Sequence, residues 1–133
     1  MVVVLDASII FPLLVTEEKS EVACEIYARH QDIIYLDFLS IEIANGLASS
    51  VQRRRFDQAF AVEAMEKLSQ IICESTSTHQ FLADAFVLAL EINHPVYDCL
   101  YAIAALKHDA TLVTCDAKFA AKLDPAVYRV QVV

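Results

Sequence analysis

Four acidic side chains stand where an α/β chain could use them together: Asp6, Glu42, Asp98 and Asp116. Asp6 follows the apolar run Val2 to Leu5, and Asp116 follows a second run, Thr111 to Thr114, after Cys115. Runs this short and this rich in β-branched residues read as strands buried on both faces of a parallel sheet. Open parallel sheets bind ligands at the carboxyl ends of their strands, so the two aspartates are expected to converge. Asp98 sits at the start of a predicted helix, and Glu42 lies in the first turn of another that Ser40 could cap. Both helix starts could face the same crevice. Each acid also has a plain structural alternative, Glu42 as a complement to the helix dipole and Asp98 as an N-cap.

The surroundings of Glu42 favour chemistry. At helical spacing its face continues with Asn45, Gly46 and Ser49, and Gly46 is the only glycine of the chain. A mid-helix glycine costs about 1 kcal/mol against alanine, so close helix packing or access to a pocket should benefit from it. On the Asp98 helix, Ala102 and Ala105 would similarly leave a cleft open or let another helix approach. Carboxylates brought together repel unless protons or a cation compensate. Oxygen donors select hard ions, which makes Mg²⁺ or Mn²⁺ the expected cofactor, and such ions activate water and stabilise phosphoryl charge. His30, His79, His94 and His108 show no ligand spacing and read as surface or loop residues, so zinc has little support.

The elements that must hold these acids follow from the hydrophobic pattern. Glu17 to His30 reads as a crossover helix leading to a second strand at Ile33 to Leu36, which makes a βαβ unit. Further helices are predicted from Ser40 to about Arg53, after the cap Asp57, from His79 to Ile92, from Asp98 to His108 and from Ala117 to Leu123. Tyr128 to Val133 alternates as a last strand. The expectation is one domain over residues 1–133, a three-layer α/β/α architecture around a mostly parallel sheet.

Composition excludes other classes. The 133 residues are 57% hydrophobic and 21% charged, with one glycine and three prolines, which rules out disordered and collagen-like chains. No apolar run approaches the roughly 18 to 20 residues of a membrane span, and no basic residue precedes Lys19, so a cytoplasmic protein is expected. Cys24, Cys73, Cys99 and Cys115 lack paired spacing and read as reduced, mostly buried hydrophobes. A net charge of −8 argues against a basic groove that holds nucleic acid by its phosphates alone. The only basic run, Arg53, Arg54 and Arg55, reads first as a solvated helix end.

Four blocks carry a family resemblance: V-V-L-D-A-S around Asp6, L-S-I-E-I-A-N-G-L around Glu42, Y-D-C-L-Y-A-I-A-A-L around Asp98 and T-L-V-T-C-D-A-K-F ending past Asp116. In this order they resemble the acidic blocks of PIN-domain nucleases, and most of all the VapC-type toxins of toxin–antitoxin pairs. The resemblance implies that Asp6, Glu42, Asp98 and Asp116 bind Mg²⁺ or Mn²⁺, with Ser8 and Thr114 as polar supports. It implies endoribonuclease activity, with water attacking the phosphodiester in line. It also implies an RNA substrate, a homodimer, and inhibition by a cognate antitoxin; bridging metal ions would let so acidic a chain bind RNA, with Arg53, Arg54 and Arg55 as candidate phosphate contacts. Relatives often carry another acid upstream of the Asp98 block, near Asn93 here. Asp84 and Glu91 do not map cleanly onto it and stay outside the predicted site.

Rival readings are weaker. Phosphotransferases that form an aspartyl phosphate need a second aspartate two residues after the first, where this chain has Ser8. A receiver domain wants an acidic pair at the first strand, and Asp6 stands alone. A PIN-like fold kept only as a protein-binding module is the remaining alternative, and the complete set of acids counts against it.

Overall fold

The computed structural model describes residues 1–133. Along the chain run β1 (Val2–Leu5), α1 (Ala7–Leu14), α2 (Ser20–Arg29), β2 (Asp32–Ile34), α3 (Asp37–Gln52) and α4 (Gln58–Ile71). A 3₁₀ turn (Thr78–Phe81) then leads to α5 (Leu82–Ile92), α6 (Val96–Lys107), β3 (Thr111–Thr114), α7 (Ala117–Lys122) and β4 (Val130–Val132). The strands form one sheet in the order β2-β1-β3-β4, and every pairing is parallel. The α/β/α expectation therefore holds.

The strand order decides where a site can form. From β1 the chain crosses to β2 on one side, and from β3 it crosses to β4 on the other. The β1–β3 seam is thus the point at which the direction of winding reverses, and parallel sheets place their ligand crevice at the carboxyl ends of such strands. Leu5 pairs with Val113, so Asp6 comes level with the end of β3.

Burial fixes this seam. Val3, Val4, Leu5, Leu112 and Val113 are essentially inaccessible to solvent, as both-faces-covered strands should be. α6 packs on β1 and β3 and is buried continuously from Cys99 to Ala105. Its small residues Ala102, Ala104 and Ala105 are all buried, and Ala102 and Ala105 line a small cavity with Leu112, Leu123 and Val130, away from the four acids. Truncating a side chain at the centre of this layer, as in Leu5→Ala, removes about 2 to 5 kcal/mol.

Several local expectations are corrected. α1 occupies a stretch whose unbroken apolar character hides helical periodicity. Asp6 starts it as N-cap, accepting from the Ser8 amide at 3.0 Å. Pro12 inside α1 offers no N–H, and the Ser8 carbonyl it leaves free accepts from the Cys115 thiol at 3.6 Å. α2 begins at Ser20 rather than Glu17, because the Ser20 hydroxyl holds a turn, accepting from Glu17 N (2.8 Å) and donating to the Val15 carbonyl (3.1 Å). α3 begins at Asp37, so Ser40 caps nothing and Glu42 lies in the second turn rather than the first. Asp98 sits in the first turn of α6 behind Pro95 and is not its cap.

Gly46 has a packing reason: a Cβ there would stand 3.0 Å from Cε2 of Phe11, so the glycine lets α1 and α3 approach closely. All four cysteines are free, but Cys24 and Cys73 are exposed and only Cys99 is fully buried, so the expectation of mostly buried thiols fails. No helix is long and apolar enough to cross a membrane.

Candidate active site

Two of the acids are delivered by strand ends. Asp6 leaves β1 and caps α1, and Asp116 leaves β3 and caps α7, accepting from Phe119 N at 2.9 Å. The capping role expected for Asp98 thus belongs to Asp6 and Asp116. Ser8 ties the two strand ends together. Its hydroxyl donates to Asp6, accepts from Cys115 N at 2.9 Å and lies 3.5 Å from the Thr114 hydroxyl. Thr114 in turn accepts from Asp116 N at 3.0 Å, so Ser8 and Thr114 shape both acid-bearing turns.

Glu42 and Asp98 come from helices. Tyr101 on α6 is 1% exposed, and its hydroxyl donates to Glu42 across the gap from α6 to α3. Burial pushes the Tyr101 phenol far up, with the Glu42 charge adding to the rise, so the phenol remains a donor. Asp98 accepts from His94, Nε2 to Oδ2 at 2.7 Å.

The electrostatics link the group. Burial raises the Asp6 carboxyl to about 6; the hydroxyls of Ser8 and Thr114 oppose the rise, and the charge of Asp98 adds to it. Glu42 is raised too, chiefly by burial and further by the charges of Asp6 and Asp98, while its bond from Tyr101 pulls the other way. Asp98 and Asp116, with His94, bring one ligating atom each to within 4.8 Å of one another. Asp6, Glu42 and Asp98 therefore share one field, and Asp116 joins through Asp98.

Little countercharge answers it. The Arg55–Glu17, Lys107–Asp84 and Arg129–Asp109 pairs involve none of the four acids, and only the His94–Asp98 contact reaches one of them. A buried Asp6 beside the half-buried Glu42, Asp98 and Asp116, with no Lys or Arg in ion-pair contact with any of them, is a donor set that fits a divalent cation. Asp84 is engaged by Lys107 at 3.2 Å, consistent with its exclusion.

From Ser8 and Glu42 an open cleft of about 420 Å³ runs past Asn45, Gly46 and Ser49 to Arg53 and Arg55. Arg54, left-handed at φ 59°, is not part of its lining. The small face around Gly46 thus serves the cleft as well as the packing against Phe11.

Sequence reasoning missed three residues here. His94 lies in a loop as expected, yet its side chain is only 12% exposed and it bonds an acid of the crevice. The available signal was its spacing of four from Asp98, across a helix break marked by Asn93 and Pro95. Tyr101 and Lys122, which contacts His94, depend on tertiary approach and left no local mark.

The PIN domain family model matches residues 3–123. Ribonuclease VapC3 of Pyrobaculum aerophilum is 34% identical over 130 residues, covering 96% of this chain and 98% of its own. The crystal structure of PAE2754 from Pyrobaculum aerophilum superposes with a TM-score of 0.75 at 21% identity, covering 99% of this chain and 84% of that one. That of VapBC2 from Rickettsia felis, bound to a DNA fragment from its promoter, gives 0.68 at 15% identity over 100% and 99% of the two chains. At these identities the two structures speak for the fold alone. The family match runs from β1 through α7 and contains all four crevice acids, so this chain belongs to the PIN-domain family.

Proposed function

We propose that this chain is a divalent-metal-dependent endoribonuclease and the toxin subunit of a toxin–antitoxin pair. The observation that carries the reading is the convergence of Asp6, Glu42 and Asp98, with Asp116 beside Asp98, at the β1–β3 switch point without a Lys or Arg to neutralise them. The 34% identical relative named a ribonuclease supports the activity. A silent binding module would gain nothing from keeping Asp6 buried among other acids, since that arrangement costs stability.

In this reading Asp6, Glu42, Asp98 and Asp116 hold Mg²⁺ or Mn²⁺. The bound ion supplies Lewis-acid stabilisation of charge developing on the phosphodiester. Ser8 and Thr114 hold Asp6 and the Asp116 turn in place, and Tyr101 holds Glu42, so the acids do not have to be ordered when substrate arrives. Arg53 and Arg55 contact phosphates of RNA laid in the cleft, and Arg54 beside them adds positive potential from outside the lining.

Two partners follow. Solved relatives described as VapBC toxin–antitoxin structures support a cognate antitoxin, with basic groups to meet the acidic crevice. A homodimer is supported by α5, where Phe86, Val87 and Leu90 are 56%, 52% and 68% exposed. Light scattering at tens of micromolar should return twice the chain mass, and a monomer mass contradicts the dimer.

The test is cleavage of RNA by the purified chain with Mg²⁺, Mn²⁺ or EDTA, beside Asp6→Asn. Cleavage that needs the metal and disappears in the variant is expected. Cleavage in EDTA, or by the variant at the wild-type rate, contradicts the proposal.

A further inference from the structure

His94 occupies a position no motif assigns. Asn93 ends α5 in the left-handed conformation (φ 52°), and Pro95 opens α6, so the chain turns sharply and drives the His94 ring inward. The ring packs on Phe119 at a centroid distance of 4.6 Å. Both of its nitrogens are occupied. Nε2 lies 2.7 Å from Asp98 Oδ2, and Nδ1 lies 3.2 Å from the ammonium of Lys122, which also donates to the Asn93 carbonyl at 3.0 Å.

An ammonium has donors and no acceptor, so the lone pair at this contact belongs to Nδ1 and the ring proton sits on Nε2. That proton points at Asp98. A metal-ligating histidine shows the opposite arrangement: one nitrogen binds the ion, and the other donates its N–H to a carboxylate, carbonyl or water. Here the far nitrogen faces a donor, the wrong partner for a ligand.

We infer that His94 is a positioning residue, held by Lys122 as the Nε2–H tautomer, which donates to one oxygen of Asp98 and leaves the other free to face the cation. This rests on the reading of Asp98 as a metal-binding acid. Its consequence is a site whose donors are all oxygen, although a nitrogen stands close enough to ligate. An all-oxygen set keeps the site suited to hard ions.

Long-range ¹H–¹⁵N correlation of the histidine rings reads the tautomer, with the His94 signal assigned by its loss in His94→Gln. Nε2–H is expected in the metal-free protein and again with saturating Mg²⁺, and both tautomers are expected in Lys122→Met. Calorimetry then compares metal binding. His94→Leu should weaken Mg²⁺ and Mn²⁺ by the same factor, about tenfold, whereas His94→Gln, which keeps an N–H donor, should stay within about threefold of wild type. An Nδ1–H ring in the Mg²⁺-loaded protein overturns the inference. Unchanged Mg²⁺ affinity in His94→Leu, or a loss confined to Mn²⁺, overturns it as well, the latter because a nitrogen ligand favours Mn²⁺. Lys122 lies on the surface, so Lys122→Met still tests the tautomer claim if His94→Leu fails to fold. A single Nε2–H tautomer in that variant removes Lys122 from the account. If the wild type binds no metal and cuts no RNA, the nuclease reading fails, and the tautomer of the metal-free protein still decides the arrangement at Asp98.

Discussion

Asp6 and Asp37 accept nearly the same hydrogen bonds and behave in opposite ways. Asp6 takes the amide of Ser8 at 3.0 Å and the Ser8 hydroxyl; Asp37 takes the amide of Thr78 at 3.0 Å and its hydroxyl at 2.5 Å. The Thr78 bonds hold the Asp37 carboxyl below the usual range, while burial lifts that of Asp6 to about 6. What differs is the setting. Asp37 is exposed on the first turn of α3, whereas Asp6 is 8% exposed and feels the charge of Asp98. Local hydrogen bonding therefore does not separate a structural acid from a chemical one. Burial together with a second acid does.

The sharpest way to break this contrast is Asp6→Asn. It should remove RNA cleavage and, in EDTA near neutral pH, stabilise the protein by up to about 3 kcal/mol, since the amide keeps the α1 cap without the buried charge. The pH profile gives the same quantity with a definite sign. The folded-state value of Asp6 lies above its unfolded value of 3.8, so the native state binds the extra proton between them. The contribution of Asp6 to stability is full below that range and is lost as pH rises through about 6. Asp37 has the opposite sign: its contribution is present above the unfolded value and lost as pH falls. Denaturant melts of metal-free wild type and Asp6→Asn should diverge as pH increases; parallel curves contradict the assignment.

A smaller effect is expected from Tyr101→Phe. It deletes the donor to Glu42 in a buried position and should weaken Mg²⁺ binding about tenfold by calorimetry, with the fold unchanged by circular dichroism. Unchanged affinity would place Glu42 outside the cation site. The smallest effect belongs to Asp37→Asn, which should cost less than about 1 kcal/mol in denaturant melts, because the contact is exposed, and leave RNA cleavage intact.

The strands and the acids at their ends were legible because strand burial and the following aspartate are local properties. Val2 to Leu5 and Thr111 to Thr114 could be read without knowing their neighbours. α1 was not legible: a helix apolar on nearly every side shows no period, and Pro12 reads as a breaker unless Cys115 is known to fill the gap it leaves. The start of α3 was misplaced because Ser40 is a good cap by type, while the actual start depends on Thr78, 41 residues away from Asp37. His94, Tyr101 and Lys122 act across the fold, and single-chain spacing carries little trace of such contacts. Gly46 was recognised as anomalous, but its partner Phe11 lies on the helix that the pattern concealed.

The central claim is that Asp6, Glu42, Asp98 and Asp116 form one shared cation site, and thermal melting of wild type and Asp116→Asn with and without Mg²⁺ tests it most directly. An ion that binds only the folded state at about 100 times its Kd stabilises by about 2.7 kcal/mol. The account predicts a clear rise in wild-type Tm on adding Mg²⁺, little rise in Asp116→Asn, and a variant at least as stable as wild type in EDTA. Equal Mg²⁺ shifts in the two proteins, with Asp116→Asn less stable in EDTA, would mean that these acids are separate caps and surface charges.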